Sequence, residues 1–331
     1  TMKSVTLGNT DIRISPVGLG CMGFTHAYGE PMDEMEAARL IREAHEMGYT
    51  LFDTAQRYTG VRADGTTAHN EDVVGLALEP VRDEVVIATK CGISIIDGER
   101  TPDARPETIR RSIDESLTRL RTDHVDLYYL HTIDPATPIE TVAETMAELK
   151  AAGKILAWGI SQCDEDTLRR AHAVLPVSAV QLRYSMMARD EARIFGACRE
   201  LGVTFVAFSP MANGFLTGAY TKAASYSLDK GDFRAMMPQF TEEGIKANEE
   251  LLAYVGRLAE ERGATMAQMS LAWMESRPEC DIVPIPGSTD PKYLRENFDS
   301  CRVELTADEV HAIDAMLDKV ANGPVFGGAS K

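Results

Sequence analysis

Four residues of this chain have the chemistry to deliver a proton to a carbonyl oxygen, provided the fold gathers them: Asp53, Tyr58, Lys90 and His131. A tyrosine hydroxyl, with a pKa of about 10, is a weak acid at neutral pH, and an adjacent ammonium favours its phenolate and lowers that value. Lys90 can supply the charge. A carboxylate at Asp53 would keep the ammonium charged and oriented, and a ring nitrogen of His131 could bond a substrate oxygen and share the proton transfer. Hydrolysis lacks its residues here, since there is no G-x-S-x-G turn and no pair of histidines at metal-ligand spacing.

Each of these residues lies at or just beyond the end of a short apolar run. Tyr49-Thr50-Leu51-Phe52 ends at Asp53, with Tyr58 five residues on; Val85-Val86-Ile87-Ala88 leads to Lys90; Val125-Asp126-Leu127-Tyr128-Tyr129-Leu130 ends at His131. Eight such runs recur, at residues 17–20, 50–53, 85–89, 125–130, 156–160, 179–182, 204–208 and 282–285, alternating with helix-length segments. Helical patterns cover about 33–47, 71–77, 139–152, 164–174, 190–201, 265–275 and 292–298. The clearest helix starts near Pro106 and sets Ile109, Ile113, Leu117 and Leu120 on one face. Strand and helix in alternation imply parallel pairing, and the order predicts an α/β fold: a (β/α)8 TIM barrel whose strand ends converge on one catalytic face. Residues 3–7 and 12–14, around Gly8-Asn9-Thr10-Asp11, predict an N-terminal β-hairpin across the barrel floor. Residues 59–69 read as a polar loop and 211–243 as a long irregular segment, both overhanging the catalytic face. A single barrel domain over 1–331 accounts for the chain.

The bulk numbers suit that reading. The 331 residues, 44% hydrophobic and 26% charged, have an ordinary globular composition, and a formal charge of −17 argues against nucleic-acid or anionic-membrane surfaces. Six cysteines without a C-x-x-C pair, no apolar run of about 18 residues and no signal-peptide pattern point to a reduced, cytoplasmic protein without a metal site. Gly18-Leu19-Gly20-Cys21-Met22-Gly23 matches the dinucleotide pattern G-x-G-x-x-G, but the stretch 25–31 after it reads as loop, where a Rossmann fingerprint must open directly into a helix. These glycines instead let the first strand approach a ligand or a neighbouring backbone closely.

Taken together the sequence resembles the aldo-keto reductase family, from about Lys3 to Leu317. Leu51-Phe52-Asp53-Thr54-Ala55-Gln56-Arg57-Tyr58 resembles the F-D-T-A-x-x-Y signature, and Asn70-Glu71-Asp72-Val73-Val74-Gly75 resembles N-E-x-x-x-G. Ala88-Thr89-Lys90 resembles the lysine strand and Asp126-Leu127-Tyr128-Tyr129-Leu130-His131 resembles D-L-Y-x-x-H. The resemblance implies NADPH-linked reduction of an aldehyde or ketone, with Tyr58 as acid supported by Lys90, Asp53 and His131. It also implies cofactor contacts. Ser161 and Gln162 stand at G-x-S-N, with glutamine for asparagine, and Gln181 at a third carboxamide contact. Phe208-Ser209-Pro210 stands at Y-S-P, where a ring stacks on nicotinamide. Gly214, Leu216 and Gly218 belong to a pyrophosphate loop, and Gly287, Ser288, Thr289, Lys292, Arg295, Glu296 and Asn297 to the adenosine-phosphate site. Tyr293 replaces a common arginine and Asp290 a neutral or basic residue, so NADP is expected with NAD possible.

The loop residues Met22, Phe24, His26 and Tyr28, with Met211 and Met236, are candidates for the substrate pocket, while Cys21 and Cys91 read as space fillers. Two other functions use the same scaffold: a nucleotide-binding regulator or sensor with little turnover, and a lyase or isomerase using Lys90 as a Schiff base.

Overall fold

In the computed structural model, residues 4–220, 228 and 231–326 are described. Eight strands form one parallel sheet in sequential order: β1 (Leu19–Gly20), β2 (Leu51–Asp53), β3 (Val86–Cys91), β4 (Val125–Leu130), β5 (Ile155–Ser161), β6 (Ala179–Arg183), β7 (Thr204–Phe208) and β8 (Ile282–Pro284). The Gly18 N–H donates to Pro284 O at 2.9 Å and the Gly20 N–H to Pro286 O at 3.2 Å, which joins β1 to the end of β8 and closes the barrel. A Cβ on Gly20 would lie 2.6 Å from Ile285 O. The glycine run therefore serves the close approach of two backbones. A 3₁₀ turn at Met22–Phe24 follows it, and the first helix, α1 (Glu34–Met47), begins only after Asp33 caps the Glu36 N–H.

Side chains alternate across a strand, so each strand sends every second residue into the barrel. Leu51, Val86, Ala88, Leu127, Tyr129, Ala157, Ala179, Val206 and Val283 form the inner core, and Leu7 and Ile14 join it from below. Leu7 follows and Ile14 ends the strands of an antiparallel hairpin, Val5–Thr6 against Arg13–Ile14, which covers the floor as the sequence implied; Lys3 lies outside the described residues. The same alternation, carried one step further along each strand, sets Asp53, Lys90, His131, Ser161, Gln181, Arg183 and Phe208 in the upper layers. The apolar lower barrel thus becomes a polar rim by periodicity alone.

Around the sheet lie α1, α2 (Asn70–Leu78), α3 (Pro106–Leu120), α4 (Ile139–Ala151), α5 (Glu165–Val174) and α6 (Phe195–Leu201), with later helices at Met266–Glu275 and Pro291–Phe298. α3 begins with Pro106, as expected, and buries Ile109, Ile113 and Leu120. The segment 190–201 divides into a 3₁₀ turn, Asp190–Ile194, and α6. Helices at Glu249–Arg262 and Ala307–Leu317 extend the architecture beyond what the sequence reading assigned. No helix among the described residues is long and apolar enough to cross a membrane.

The reading of 59–69 as a loop is corrected. Thr59–Val61 and Thr67–His69 pair as an antiparallel ribbon, closed by Arg62 N–H to Thr66 O at 2.9 Å. Strands of three residues are too short to leave a period-2 signal. A second ribbon, Ile93–Ile96 with Glu99–Pro102, turns at Asp97 and Gly98, both at positive φ, as the tight two-residue hairpin requires. Segment 211–243 holds 3₁₀ turns at Phe215–Thr217, Phe233–Met236 and Pro238–Phe240; residues 221–227 and 229–230 within it lie outside the described residues.

Gly159 makes room inside the barrel for Tyr129, its partner across β4 and β5. A Cβ there would come within 2.6 Å of the Tyr129 ring and 2.5 Å of Ala179 O. Gly159→Ala is expected to destabilise the fold by roughly 1–3 kcal/mol, as overpacking does. A urea titration should show a lower midpoint at unchanged slope, and an unchanged midpoint would refute the packing argument.

Candidate active site

At the end of β2, Asp53 is 3% exposed, and at the penultimate position of β3 the Lys90 side chain is fully enclosed. The two form an ion pair. Lys90 Nζ also donates to Thr54 O at 2.8 Å and to the Tyr58 hydroxyl oxygen at 3.2 Å. Gln181 Nε2 donates to the other Asp53 oxygen at 2.7 Å, so both carboxylate oxygens are engaged.

An ammonium has three hydrogens, and here all three are used. Held as an ammonium in this arrangement, Lys90 has no lone pair for carbonyl attack, which disfavours a Schiff-base role. The Tyr58 oxygen accepts from Lys90, which leaves the phenolic hydrogen free to be donated elsewhere. Two imidazoles flank the Tyr58 ring: His26 lies nearly parallel at 5.9 Å and His131 nearly perpendicular at 5.7 Å. His26 Nδ1 faces Thr59 O at 2.6 Å, so that nitrogen carries a hydrogen.

Burial raises the Asp53 carboxyl above the usual carboxylate range, with Lys90 and Gln181 opposing it. Burial would lower Lys90, but Asp53 and Tyr58 lift its ammonium net above its ordinary value. For Tyr58 the expected direction is reversed. Burial raises its pKa more than the Lys90 charge lowers it, and Asp53 adds to the rise, so the hydroxyl keeps its proton more firmly than free tyrosine does. His131 is held well below its ordinary value by burial and by the charges of Lys90 and Arg100, and is a neutral imidazole. Cys91 is pushed up to about 12 and Cys21 is raised also, both by burial, so neither is a thiolate nucleophile.

The N-E-x-x-x-G stretch positions this group from behind. Asn70 is buried; its Oδ1 accepts from the Thr54 hydroxyl at 2.6 Å while its amide donates to Cys21 O at 2.8 Å and to the Thr25 hydroxyl at 2.9 Å. It thereby ties the loops after β1 and β2 together. Glu71, also buried, accepts from the Thr89 hydroxyl at 2.6 Å and from Arg119 at 2.7 Å, which anchors β3 beside Lys90 to α3.

Ser161 is buried at the end of β5 and Gln162 is exposed at φ +58, its amide donating to His131 O at 3.3 Å. Phe208 ends β7. Beyond it Ser209, Ala212 and Asn213 hold left-handed φ, as do Gly214 and Gly218, while Leu216 is fully buried. At Pro291–Phe298 the Asp290 carboxylate caps Lys292 N–H at 2.8 Å, Lys292 Nζ lies 5.3 Å from the Tyr293 ring centroid, and Arg295 reaches Met47 O at 3.4 Å. Asn297 is buried and Glu296 half-buried; the Ser288 hydroxyl accepts from Asp290 N–H at 3.1 Å. Gly287 abuts Gly20, where its Cβ would lie 2.6 Å from Gly20 O.

The pocket candidates separate. His26 is against Tyr58, and the Tyr28 hydroxyl accepts from Asn213 at 3.0 Å. Phe24 is 1% exposed and belongs to the core between barrel and helices, so packing rather than substrate accounts for it. Met22 is half-buried, Met211 buried and Met236 exposed. Two residues went unremarked in the sequence: Arg100 on the second ribbon and Arg183 at the end of β6. Neither belongs to a short sequence pattern; only inward alternation along β6 could have singled out Arg183.

A closed parallel barrel with a buried carboxylate and ammonium and a half-buried phenol at its strand ends defines a class of barrel enzyme, and comparison with known proteins makes it specific. The aldo/keto reductase family matches residues 16–318. A curated relative, "Probable aldo-keto reductase 1" of Glycine max, is 36% identical over 99% of this chain and 91% of its own length. "Aldo-keto reductase yakc [NADP(+)]" of Schizosaccharomyces pombe is 36% identical over 95% of this chain and 91% of its own. Among solved structures, the glycerol dehydrogenase AKR11B4 from Gluconobacter oxydans superposes with a TM-score of 0.85 at 25% identity, covering 99% of both chains. The chain belongs to the aldo/keto reductase family of oxidoreductases.

Proposed function

We propose that the protein reduces an aldehyde or ketone to an alcohol with NADPH, Tyr58 donating the proton to the carbonyl oxygen. The observation that carries this reading is the saturation of Lys90 by Asp53, Thr54 O and Tyr58, which leaves the phenolic hydrogen of Tyr58 as the mobile proton. Neutral His131 hydrogen-bonds the same carbonyl oxygen and orients it. The Lys90 ammonium stabilises the phenolate that forms, and Asp53 balances that ammonium throughout.

The residues fit a nicotinamide dinucleotide. Ser161, Gln162 and Gln181 offer hydroxyl and amide groups for a carboxamide, and Phe208 an aromatic face. Buried Asn213 Oδ1 has no partner within the described residues and suits a donor such as a ribose hydroxyl. Three non-glycine residues in left-handed φ between 209 and 213 are costly and mark a loop shaped for a task. Gly214, Leu216 and Gly218 would line the pyrophosphate. Lys292 and Arg295, with Ser288 and Thr289, would hold the adenosine phosphate, Asp290 being occupied as a helix cap. Bound there, NADPH supplies the hydride. The name of the yeast relative supports NADP.

Replacing both Lys292 and Arg295 by alanine is expected to lower the NADPH-to-NADH ratio of kcat/KM by about 10- to 100-fold, the worth of one or two charge-assisted hydrogen bonds to phosphate. An unchanged ratio would place phosphate recognition elsewhere. The pH profile follows from the raised pKa of Tyr58. Reduction needs the protonated phenol, so its kcat should stay level from about pH 6 to about pH 9 and fall only above the ordinary tyrosine range. Alcohol oxidation needs the phenolate and should rise with pH over that interval. A reduction rate that already drops between pH 6 and 8 would contradict the assignment.

A further inference from the structure

We infer that the carbonyl substrate carries a carboxylate, seated on Arg183. This rests on the reductase reading and names the class of substrate for the same site. Arg183 follows Gln181 on the inward face of β6, and Gln181 donates to Asp53. One pleat repeat therefore separates Arg183 from the residue that touches the catalytic carboxylate, a spacing of about 6–7 Å.

Its surroundings are unusual for an arginine. Its guanidinium lies 5.2 Å from the Phe208 ring centroid, its partner across β7, and 5.4 Å from Phe326. No hydrogen bond or ion pair engages it among the described residues. Three other arginines drawn inward are matched to a carboxylate, Arg82 to Asp126, Arg119 to Glu71 and Arg277 to Asp314, and Arg57 donates to Ile93 O at 2.8 Å. Arg183 is also partly desolvated, which lowers its pKa, and the one group that opposes this is Tyr28. Aromatic faces satisfy the charge in part but leave the guanidinium donors unmet. A desolvated guanidinium without a counter-ion is costly, and in a chain of formal charge −17 a carboxylate could readily have been placed beside it.

A cavity of about 480 Å³ opens beside it, lined among others by Phe208, Ile133 and Gln162. The two carboxylates on its wall are already used: Asp164 caps Thr167 N–H at 2.8 Å and Glu191 pairs with Arg193 at 3.2 Å. Arg100 adds a second cation, its charge acting on Tyr58, His26 and His131. The mouth of an acidic protein is thus locally cationic, which draws an anionic substrate inward.

The test compares 4-carboxybenzaldehyde with its methyl ester, methyl 4-formylbenzoate, in the wild type, Arg183→Met and Arg183→Lys. Calorimetric binding of 4-(hydroxymethyl)benzoate to the NADP⁺-loaded protein is measured alongside. The wild type should favour the acid by about 10- to 100-fold in kcat/KM. Arg183→Met should bring that ratio close to one, mainly through KM for the acid, and weaken the hydroxymethylbenzoate complex by a similar factor. Arg183→Lys should retain part of both. Equal wild-type activity on acid and ester overturns the inference, as does an Arg183→Met variant that loses both substrates alike while its NADPH KM rises, because the anion is then the cofactor's phosphate. If neither aldehyde turns over, the reductase reading fails by itself. Calorimetry then decides the inference: weaker binding in Arg183→Met upholds it and equal binding overturns it.

Discussion

Replacing Tyr58 with phenylalanine reduces kcat for carbonyl reduction by about 10²- to 10⁴-fold, the usual worth of a positioned general acid. Among the described residues the phenol oxygen has one hydrogen bond, from Lys90 at 3.2 Å. Its ring contacts with His26 and His131 survive in phenylalanine. The fold should therefore persist and the nucleotide dissociation constant, followed by protein fluorescence, should change little. The loss appears in kcat more than in KM, because proton donation is made fully only in the transition state. Turnover near the wild-type rate would remove Tyr58 from the mechanism. A large loss of nucleotide binding would recast it as a structural residue.

Lys90→Met is expected to abolish reduction to a similar degree and, unlike Tyr58→Phe, to destabilise the protein. Removing one partner of an enclosed ion pair strands the other charge, at a cost of about 3–5 kcal/mol. Among the described residues the Asp53 carboxylate would then keep only Gln181 as a partner. Burial already raises the Asp53 pKa, and loss of Lys90 removes its main opposing influence. A carboxyl whose folded pKa exceeds its unfolded value stabilises the fold at pH below the unfolded pKa, and that contribution is lost as pH rises through the folded pKa. The gap in unfolding free energy between wild type and Lys90→Met should therefore narrow as pH falls from about 8 to about 5. A gap that widens toward low pH would mean that Asp53 does not become the stranded charge.

The barrel was legible because its signals are strong. Eight β-branched and aromatic runs alternate with amphipathic segments, and the inner stripes Val86, Ala88, Lys90 and Leu127, Tyr129, His131 follow from period-2 geometry once the strands are placed. The grouping of Asp53, Lys90 and Tyr58 was readable for the same reason, each being tied to a strand end. The ribbons at 59–69 and 93–102 escaped notice because each strand is only three or four residues long. The Tyr58 shift was read in the wrong direction because sequence shows the neighbouring charge but not the desolvation that outweighs it. Phe24 looked like a pocket residue from its place in a loop, yet the chain turns it into the core. Arg183 carried only the inward alternation of β6, since what distinguishes it is the lack of a hydrogen-bond or ion-pair partner among the described residues, which shows only in three dimensions.

The central claim is hydride addition to a carbonyl carbon at this site, and the alcohol formed with NADPH carrying deuterium at both C4 positions of the nicotinamide tests it most directly. With 4-carboxybenzaldehyde in ordinary water, the product should carry one deuterium on its carbinol carbon, seen by mass spectrometry and proton resonance, with its hydroxyl hydrogen drawn from solvent through Tyr58. An alcohol without deuterium at that carbon would contradict the account, as would a nucleotide that binds tightly and is never consumed.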